Sequence, residues 1–202
     1  MSPGVEMING KLVGEPWTET IENEKCVMAN FTTMHQYIRG NIMYAFSNYM
    51  KQRGVKDYNL IFSMEVRLDK SNIFIPDICI VHRSFVHEEY VEGIPELVVE
   101  IMVPASRFND MGIKKEIYEK LGVNEYWVIE PKCDTMYSFR LRNGRYELEN
   151  VYARLEKGEV EHLSLIETMQ QMSTIRTEVF EDLEISVNDI FQSPFEEIPR
   201  AE

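Results

Sequence analysis

Features that mark several common protein classes are missing from this chain of 202 residues. No apolar run approaches the roughly 18–20 residues that a membrane-spanning helix needs, so a membrane protein of that kind is not expected. The first residues carry neither a basic region nor an apolar core, which argues against a signal peptide. We therefore predict a cytoplasmic protein with no membrane partner.

Cysteine is scarce and shows no pattern. Cys26, Cys79 and Cys133 are odd in number and widely spaced, which fits neither a disulfide framework nor a zinc motif but does fit a reducing cytoplasm. Glycine-rich phosphate loops and the Gly-x-Ser-x-Gly motif are also missing, so the Rossmann, P-loop and α/β-hydrolase classes are not indicated.

Positive charge is in short supply, with 21 Lys and Arg against 34 Asp and Glu and a formal net charge of −13. This argues against a general nucleic-acid binder, because phosphate contacts need local positive charge. It does not exclude one, since net charge hides local patches and a carboxylate metal site adds negative charge. Arg140, Arg142 and Arg145 form the evident basic group, interpreted as a solvated turn with phosphate contact as the alternative.

Two apolar stretches that each contain one acid are the most informative features present. Leu97–Val103 reads LVVEIMV, which is typical of a strand buried on both faces, yet it contains Glu100. Ile73–Val81 contains Asp77 in the same way. A buried carboxylate needs a cation, a proton or hydrogen bonds to offset its charge. The pattern predicts either a metal site or a hydrogen-bonded pair that only shapes the core.

The spacing of apolar residues predicts an α/β protein with a mixed sheet. Helices are predicted from Thr32 or Thr33 to Gln52 and over Asn109–Leu121, the latter capped by Asn109 or Asp110 and ended by Gly122. The other predicted elements are strands at Leu60–Leu68, Ile73–Val81, Leu97–Val103 and Glu125–Ile129, hairpins at Met7–Val13 and Thr135–Tyr152, a loop at Phe85–Gly93, and helices at Leu163–Thr177 and Val187–Phe191. Residues 1–192 are predicted to form a single domain and residues 193–202 a loose acidic tail.

The second predicted helix carries two neighbouring lysines that differ in position. At 100° per residue, Ile113 and Ile117 belong to the apolar stripe, and Lys114 lies on its edge beside Tyr118. Lys115 points to nearly the opposite side, towards solvent. Lys114 is therefore the candidate for an inward-facing base or charge stabiliser, with a lysine that reaches solvent from the core edge as the alternative.

Four blocks of the sequence match motifs of a known family. They are Pro76-Asp77, PELVVEIMVPAS at Pro95–Ser106, DMGIKKEIY at Asp110–Tyr118 and GVNEYWVIEP at Gly122–Pro131. Together they resemble the Uma-type family of restriction-endonuclease-like proteins, in the PD-(D/E)xK superfamily. His35 is similar to a histidine near the start of that family's first long helix.

The resemblance implies a restriction-endonuclease-like core, in which helices flank a mixed sheet and β-hairpins are added at the N-terminal and C-terminal ends. It implies Asp77 and Glu100 as metal ligands, with the backbone carbonyl of Ile101 as a third. It also implies Lys114 as the catalytic lysine, moved from strand to helix, because Met102 occupies the usual lysine position. The family's more usual serine at position 105 is an alanine here.

The resulting hypothesis is an endonuclease that depends on Mg²⁺ (or Mn²⁺), hydrolyses phosphodiester bonds in DNA and forms a homodimer. Glu65, His35 and Tyr118 are possible supporting residues, with Glu65 as a third acid and Tyr118 orienting Lys114. The alternative is a non-catalytic interaction or scaffold protein that retains the nuclease fold.

Overall fold

The computed structural model describes residues 5–8, 11–14, 17–28, 31–154 and 174–193. The helices are α1 (Thr33–Arg53), α2 (Lys114–Leu121) and α3 (Val187–Phe191), with a π-helical turn at Asn109–Ile113 and 3-10 turns at Arg83–Phe85 and Pro131–Cys133. The strands are β1 (Val5–Ile8), β2 (Lys11–Gly14), β3 (Thr18–Ile21), β4 (Glu24–Val27), β5 (Tyr58–Ile61), β6 (Glu65–Arg67), β7 (Ile73–Phe74), β8 (Ile78–His82), β9 (Tyr90–Glu92), β10 (Leu97–Ile101), β11 (Glu125–Glu130), β12 (Thr135–Arg142), β13 (Arg145–Ala153), β14 (Thr174–Arg176) and β15 (Glu184–Ser186).

A six-stranded mixed sheet with the order β13-β12-β11-β10-β8-β5 forms the centre of the fold. Strand β10 pairs in parallel with β11 and antiparallel with β8. Every residue of β10 is buried, because helices and strands cover both faces of the sheet. Alternating side chains therefore enter two cores: Leu97 and Val99 pack on the α1 side, whereas Val98 packs on the α2 side. The α/β class predicted from the sequence is confirmed.

Helix α1 agrees with its predicted limits to within one residue. The Thr32 side chain accepts a hydrogen bond from the His35 N–H at 3.2 Å, so Thr32 is the N-cap. Gly54 ends the helix with φ of 64°, a conformation that favours glycine. Ile38, Ile42 and Phe46 are fully buried against the central sheet.

Two predicted strands are wrong as single elements, because each is divided between two sheets. Leu60–Leu68 becomes β5 in the six-stranded sheet and β6 in a five-stranded sheet of order β4-β3-β7-β6-β9, and the chain turns at Ser63, which has φ of 46°. Ile73–Val81 becomes β7 and β8. The break falls at Pro76, which has no N–H for a sheet hydrogen bond, so Asp77 lies between two strands.

Two further predictions are incorrect in part, a loop and a helix. The predicted loop Phe85–Gly93 is incorrect in part, because it contains β9, which pairs in parallel with β6. The predicted helix Leu163–Thr177 is incorrect where it can be compared, since Thr174–Arg176 is a strand. Residues 155–173 lie outside the described residues. Strands β3 and β4 were not predicted from the sequence.

Both predicted hairpins are present. Strands β12 and β13 meet at Asn143 and Gly144, whose φ angles of 51° and 77° fit a tight hairpin turn. Strands β1 and β2 also pair, although Asn9 and Gly10 of their turn lie outside the described residues. The short helix at Val187–Phe191 is confirmed as α3.

In the described ranges, no helix is both long and apolar enough to cross a membrane. Residues 194–202 are outside those ranges, so the division into one domain and a loose tail stays a prediction.

Candidate functional site

Four buried acids from distant parts of the chain line one small cavity. They are Glu19 on β3, Asp77 before β8, Glu100 on β10 and Asp110 in the π-helical turn, and we call them the carboxylate cluster. The buried side chains of Lys114 and His35 line the same cavity, which has a volume of about 130 Å³. Asp77 lies in the break between β7 and β8, which brings it to the cavity. Side chains alternate along β10, so Glu100 lies on the same face of the sheet as Val98, the face that α2 covers.

Lys114 is the cation at the centre of this group. Its Nζ lies 2.8 Å from Glu100 Oε1, 2.9 Å from Glu19 Oε1 and 3.8 Å from Asp110 Oδ1. Burial alone would lower the pKa of Lys114, but the carboxylates of Glu100, Glu19 and Asp110 raise it above its ordinary value. Lys114 therefore stays protonated and acts as a fixed positive charge.

One ammonium does not neutralise four carboxylates. Burial raises the pKa of Glu100 well above its ordinary value, and the charges of Asp110, Asp77 and Glu19 raise it further, against the opposing effect of Lys114. Burial likewise raises the pKa of Asp110, which Lys114 and a hydrogen bond from Ser106 counteract. The site thus favours the uptake of further positive charge, either as protons or as a cation.

Asp77 is held by two groups of the protein. Its Oδ2 accepts a hydrogen bond from the Ile101 N–H at 2.7 Å, and its Oδ1 lies 3.0 Å from His35 Nε2. His35 Nδ1 is buried and has no hydrogen-bond partner among the described residues. These contacts fix the carboxylate at the end of β10, one residue beyond Glu100.

Hydroxyl groups support the other acids. The Tyr118 hydroxyl donates to Glu100 Oε1 at 2.9 Å, so it contacts the same oxygen as Lys114. The Ser106 hydroxyl donates to Asp110 Oδ2 at 2.5 Å. Asp110 is therefore bound to Ser106, and its predicted role as a helix cap is wrong, because the π-helical turn has no side-chain cap.

The predicted inward-facing position of Lys114 is correct, but the predicted positions of its neighbours Ile113 and Lys115 are not. Ile113, placed on the apolar stripe, is 36% exposed, because the π-helical turn before α2 changes the angle per residue. Lys115 is half-buried, with its Nζ 4.6 Å from the centroid of the Phe139 ring. The expected solvent-facing position of Lys115 is therefore incorrect.

The structure brings together Asp77, Glu100, Lys114, Tyr118, His35 and Ile101. It leaves Glu65 apart from them: the Glu65 carboxylate accepts a hydrogen bond from Arg67 Nε at 2.7 Å and does not line the cavity. The sequence analysis missed Glu19, Asp110 and Ser106 as site residues. The four-residue spacing of Ser106, Asp110 and Lys114 is a signal that could have identified two of them.

The donor chemistry of the carboxylate cluster fits a hard divalent cation. No set of three or more His, Cys, Asp and Glu side chains within the described ranges is already arranged as a metal shell. The Lys114 ammonium contacts both Glu100 and Glu19. Mg²⁺ commonly uses only one or two carboxylates and keeps several waters, so a protein site for it needs few carboxylates.

Comparison with known proteins identifies first the fold and then the family. The structure is similar to that of a putative nuclease belonging to DUF820 from Anabaena variabilis ATCC 29413, with a TM-score of 0.64, 16% identity, and coverage of 87% of this chain and 90% of that chain. This confirms the restriction-endonuclease-like fold. The model of the Uma2 family, described as putative restriction endonuclease, matches residues 14–175, and the chain belongs to that family. A comparison with curated proteins found no match.

Proposed function

We propose that this protein is an endonuclease that depends on Mg²⁺ or Mn²⁺ and hydrolyses phosphodiester bonds in DNA. The observation that supports it most is the convergence of Asp77, Glu100 and Lys114 on one small cavity. The family and the structural neighbour, both described in terms of nuclease activity, point in the same direction.

Asp77 and Glu100 would hold the cation, together with the backbone carbonyl of Ile101. Such an ion supplies polarisation of a phosphoryl oxygen and lowers the pKa of a water molecule. The hydrogen bond from the Ile101 N–H and the contact with His35 would keep Asp77 in place while it binds.

Lys114 would stabilise the negative charge that develops on the phosphate. A preorganised charge in a buried site is effective because little reorganisation accompanies the reaction. The raised pKa of Lys114 argues against a role as general base, since the lysine would have to lose its proton first. Tyr118 would position Glu100 and Lys114 together through the shared Glu100 oxygen.

A non-catalytic scaffold is the second candidate, supported by a different observation. Lys114 already forms close ion pairs with Glu100 and Glu19, so the site is partly compensated without any ligand. The net charge of −13 also opposes contact with a polyanion.

A nuclease assay separates these candidates. Wild-type protein and Asp77→Ala would be incubated with duplex, nicked and single-stranded DNA in Mg²⁺, Mn²⁺ or EDTA. The proposal predicts cleavage that requires the metal and is lost in Asp77→Ala. The absence of cleavage of every substrate, or equal cleavage by Asp77→Ala, would contradict it, and Glu65→Ala is the matched control.

A further inference from the structure

The mouth of the cavity combines apolar side chains with the acids at its base. Val27, Met28, Phe31 and Ala105 line the cavity together with the carboxylate cluster. Val27 is 67% exposed, so the apolar lining continues out to the protein surface.

Two aromatic rings, one lining the cavity and one adjacent in sequence to a cavity-lining residue, are open to solvent. Phe31 is 44% exposed, and Phe108, next to the cavity-lining Asn109, is 88% exposed. Isolated exposed apolar residues are common on protein surfaces, but Phe31 lines the same cavity as the buried carboxylate cluster. Phe31 also contacts His35, with ring centroids 4.6 Å apart, and His35 contacts Asp77. The Phe31 ring is thus held at a fixed position beside the carboxylate cluster.

A positive charge accompanies the Phe31 ring. The Arg39 guanidinium lies 5.5 Å from the ring centroid. Arg39 donates hydrogen bonds to the neutral side chains of Ser63 and Gln36, and it forms no ion pair with any described residue. Its charge is therefore available to an anionic ligand at the mouth.

The other candidate basic group is already paired with acids. Arg140 and Arg142 both form ion pairs with Glu178, and Arg145 pairs with Glu119. Contact with duplex DNA relies on many cationic groups along the phosphate backbone. Single strands are bound by positive charge combined with stacking of unpaired bases on aromatic rings, and this stacking is a contribution that an intact duplex does not offer.

We propose that the mouth binds a single-stranded or locally unpaired nucleic acid, with a base stacked on Phe31 or Phe108 and a phosphate beside Arg39. This inference rests on the proposed nuclease function and names its substrate class. In this arrangement a phosphodiester group would enter the cavity, and the aromatic rings would hold the flanking bases. The protein would accordingly prefer single strands, loops or frayed ends to intact duplex.

Binding by fluorescence anisotropy tests this proposal without cleavage. A labelled single-stranded oligonucleotide and its duplex would be titrated with the protein in Ca²⁺, with the DNA verified as intact on a gel. Wild type should bind the single strand at least about tenfold more tightly. Phe31→Ala and Phe108→Ala should each weaken that binding by about tenfold, whereas Phe31→Trp should retain it. Tyr44→Ala, an exposed aromatic change on α1 that lines a different cleft, should have no effect.

A spectroscopic probe separates stacking from a structural effect. With 2-aminopurine in the strand, wild type should change its fluorescence on binding, and Phe108→Ala should reduce that change while keeping the wild-type unfolding midpoint. Equal affinity for duplex, or unchanged binding by both alanine variants, would overturn the proposal. Light scattering could also overturn the proposal. If wild type self-associates and the alanine variants do not, the mouth contacts a second copy of the protein instead of nucleic acid. Metal-dependent cleavage of duplex alone would overturn this inference and leave the nuclease function intact, whereas single-strand binding without any cleavage would do the reverse.

Discussion

At the scale of single residues, the position of Lys114 determines the chemistry available at the site. Lys114 is the first residue of α2. Its ammonium contacts two acids from different sheets, Glu100 on β10 and Glu19 on β3. The Phe74 ring centroid is 5.4 Å from the same ammonium. A lysine enclosed in this way is both a structural cation and a candidate for transition-state stabilisation.

Replacement of Lys114 should therefore affect both stability and activity. Lys114→Ala leaves buried carboxylates without their cation, which typically costs about 3–5 kcal/mol of unfolding free energy. If the protein cleaves DNA, the rate should fall by about a hundredfold or more, because a preorganised charge is lost. Urea unfolding and a cleavage assay would measure the two effects.

Lys115→Ala is the matched control for this change. It removes a cation–π contact with Phe139, worth about 0.5–1 kcal/mol, and should leave the cleavage rate nearly unchanged. A large rate loss in Lys115→Ala with normal activity in Lys114→Ala would show that the catalytic lysine has been assigned wrongly.

Sequence patterns identify residues whose context is unusual and miss those whose context is ordinary. Asp77 and Glu100 could be predicted because each interrupts an apolar stretch. Glu19 could not, since it lies in the polar segment Thr18–Ile21, and only the pairing of β3 with β7 brings it to Lys114. The sequence predicts Asn109 or Asp110 as a helix cap, whereas Asp110 lies in a π-helical turn that the sequence pattern does not reveal and accepts a hydrogen bond from Ser106.

At the scale of elements, glycine has opposite roles at two helix positions. Gly122 ends α2 with φ of 91°, whereas Gly40 lies inside α1 with no atom within 4 Å of an added Cβ. Gly122→Ala should lower the unfolding free energy by about 1 kcal/mol, because alanine strains at positive φ. Gly40→Ala should raise it by about 0.4–1 kcal/mol, since alanine restricts the unfolded chain and favours the helix. Denaturant unfolding of both variants checks the signs, and an equal effect would contradict this account.

Glu125 connects β11 to the chain segment after β14. Its Oε2 accepts hydrogen bonds from the Thr177 hydroxyl at 2.8 Å and the Glu178 N–H at 3.1 Å, and its Oε1 accepts one from Trp127 Nε1 at 2.7 Å. Burial raises the pKa of Glu125, although Arg140 and the hydrogen bonds from Thr177 and Trp127 oppose this. The folded state consequently holds this proton to higher pH than the unfolded state does.

The raised pKa of Glu125 predicts a pH dependence with a definite sign. Its contribution to stability is fully present below the unfolded pKa of about 4.3 and is lost as pH rises through the folded pKa. Wild type should lose more stability than Glu125→Gln as pH rises from about 4 towards neutral. Thermal unfolding at a series of pH values measures this difference. Parallel curves, or a steeper loss in Glu125→Gln, would count against the assignment.

The elements that could be predicted are those with a local signal. Helix α1 has a regular apolar period and the Thr32 cap, and the β12–β13 hairpin has Asn143-Gly144. The division of two apolar stretches at Ser63 and Pro76 could not be placed from apolar content, because both halves of each stretch form sheet strands. Proline at position 76 was the available signal, and it was outweighed by the uniform hydrophobicity around it.

At the scale of the whole molecule, the central sheet places the acids between two layers. Core residues of α1 cover one face, and α2 with the five-stranded sheet covers the other, where Glu100 meets Lys114. The cavity is therefore lined by residues of both sheets, α1, the π-helical turn and α2.

The homodimer stays a prediction. Among the described strands, the long strand β13 lies at an edge of the central sheet, and such an edge can pair with a second copy of the chain. Light scattering at micromolar concentration should give about twice the chain mass of 23.8 kDa. A particle of one chain mass would contradict the prediction.

The central claim is that Asp77 and Glu100 together bind a divalent cation, and titration calorimetry with Mn²⁺ tests it most directly. Wild type should bind the ion, and both Asp77→Asn and Glu100→Gln should lose that binding while remaining folded, because each removes one of two charged ligands. Glu65→Gln, which alters an acid outside the cavity, should bind as wild type does. Unchanged Mn²⁺ affinity in both Asp77→Asn and Glu100→Gln would contradict the account.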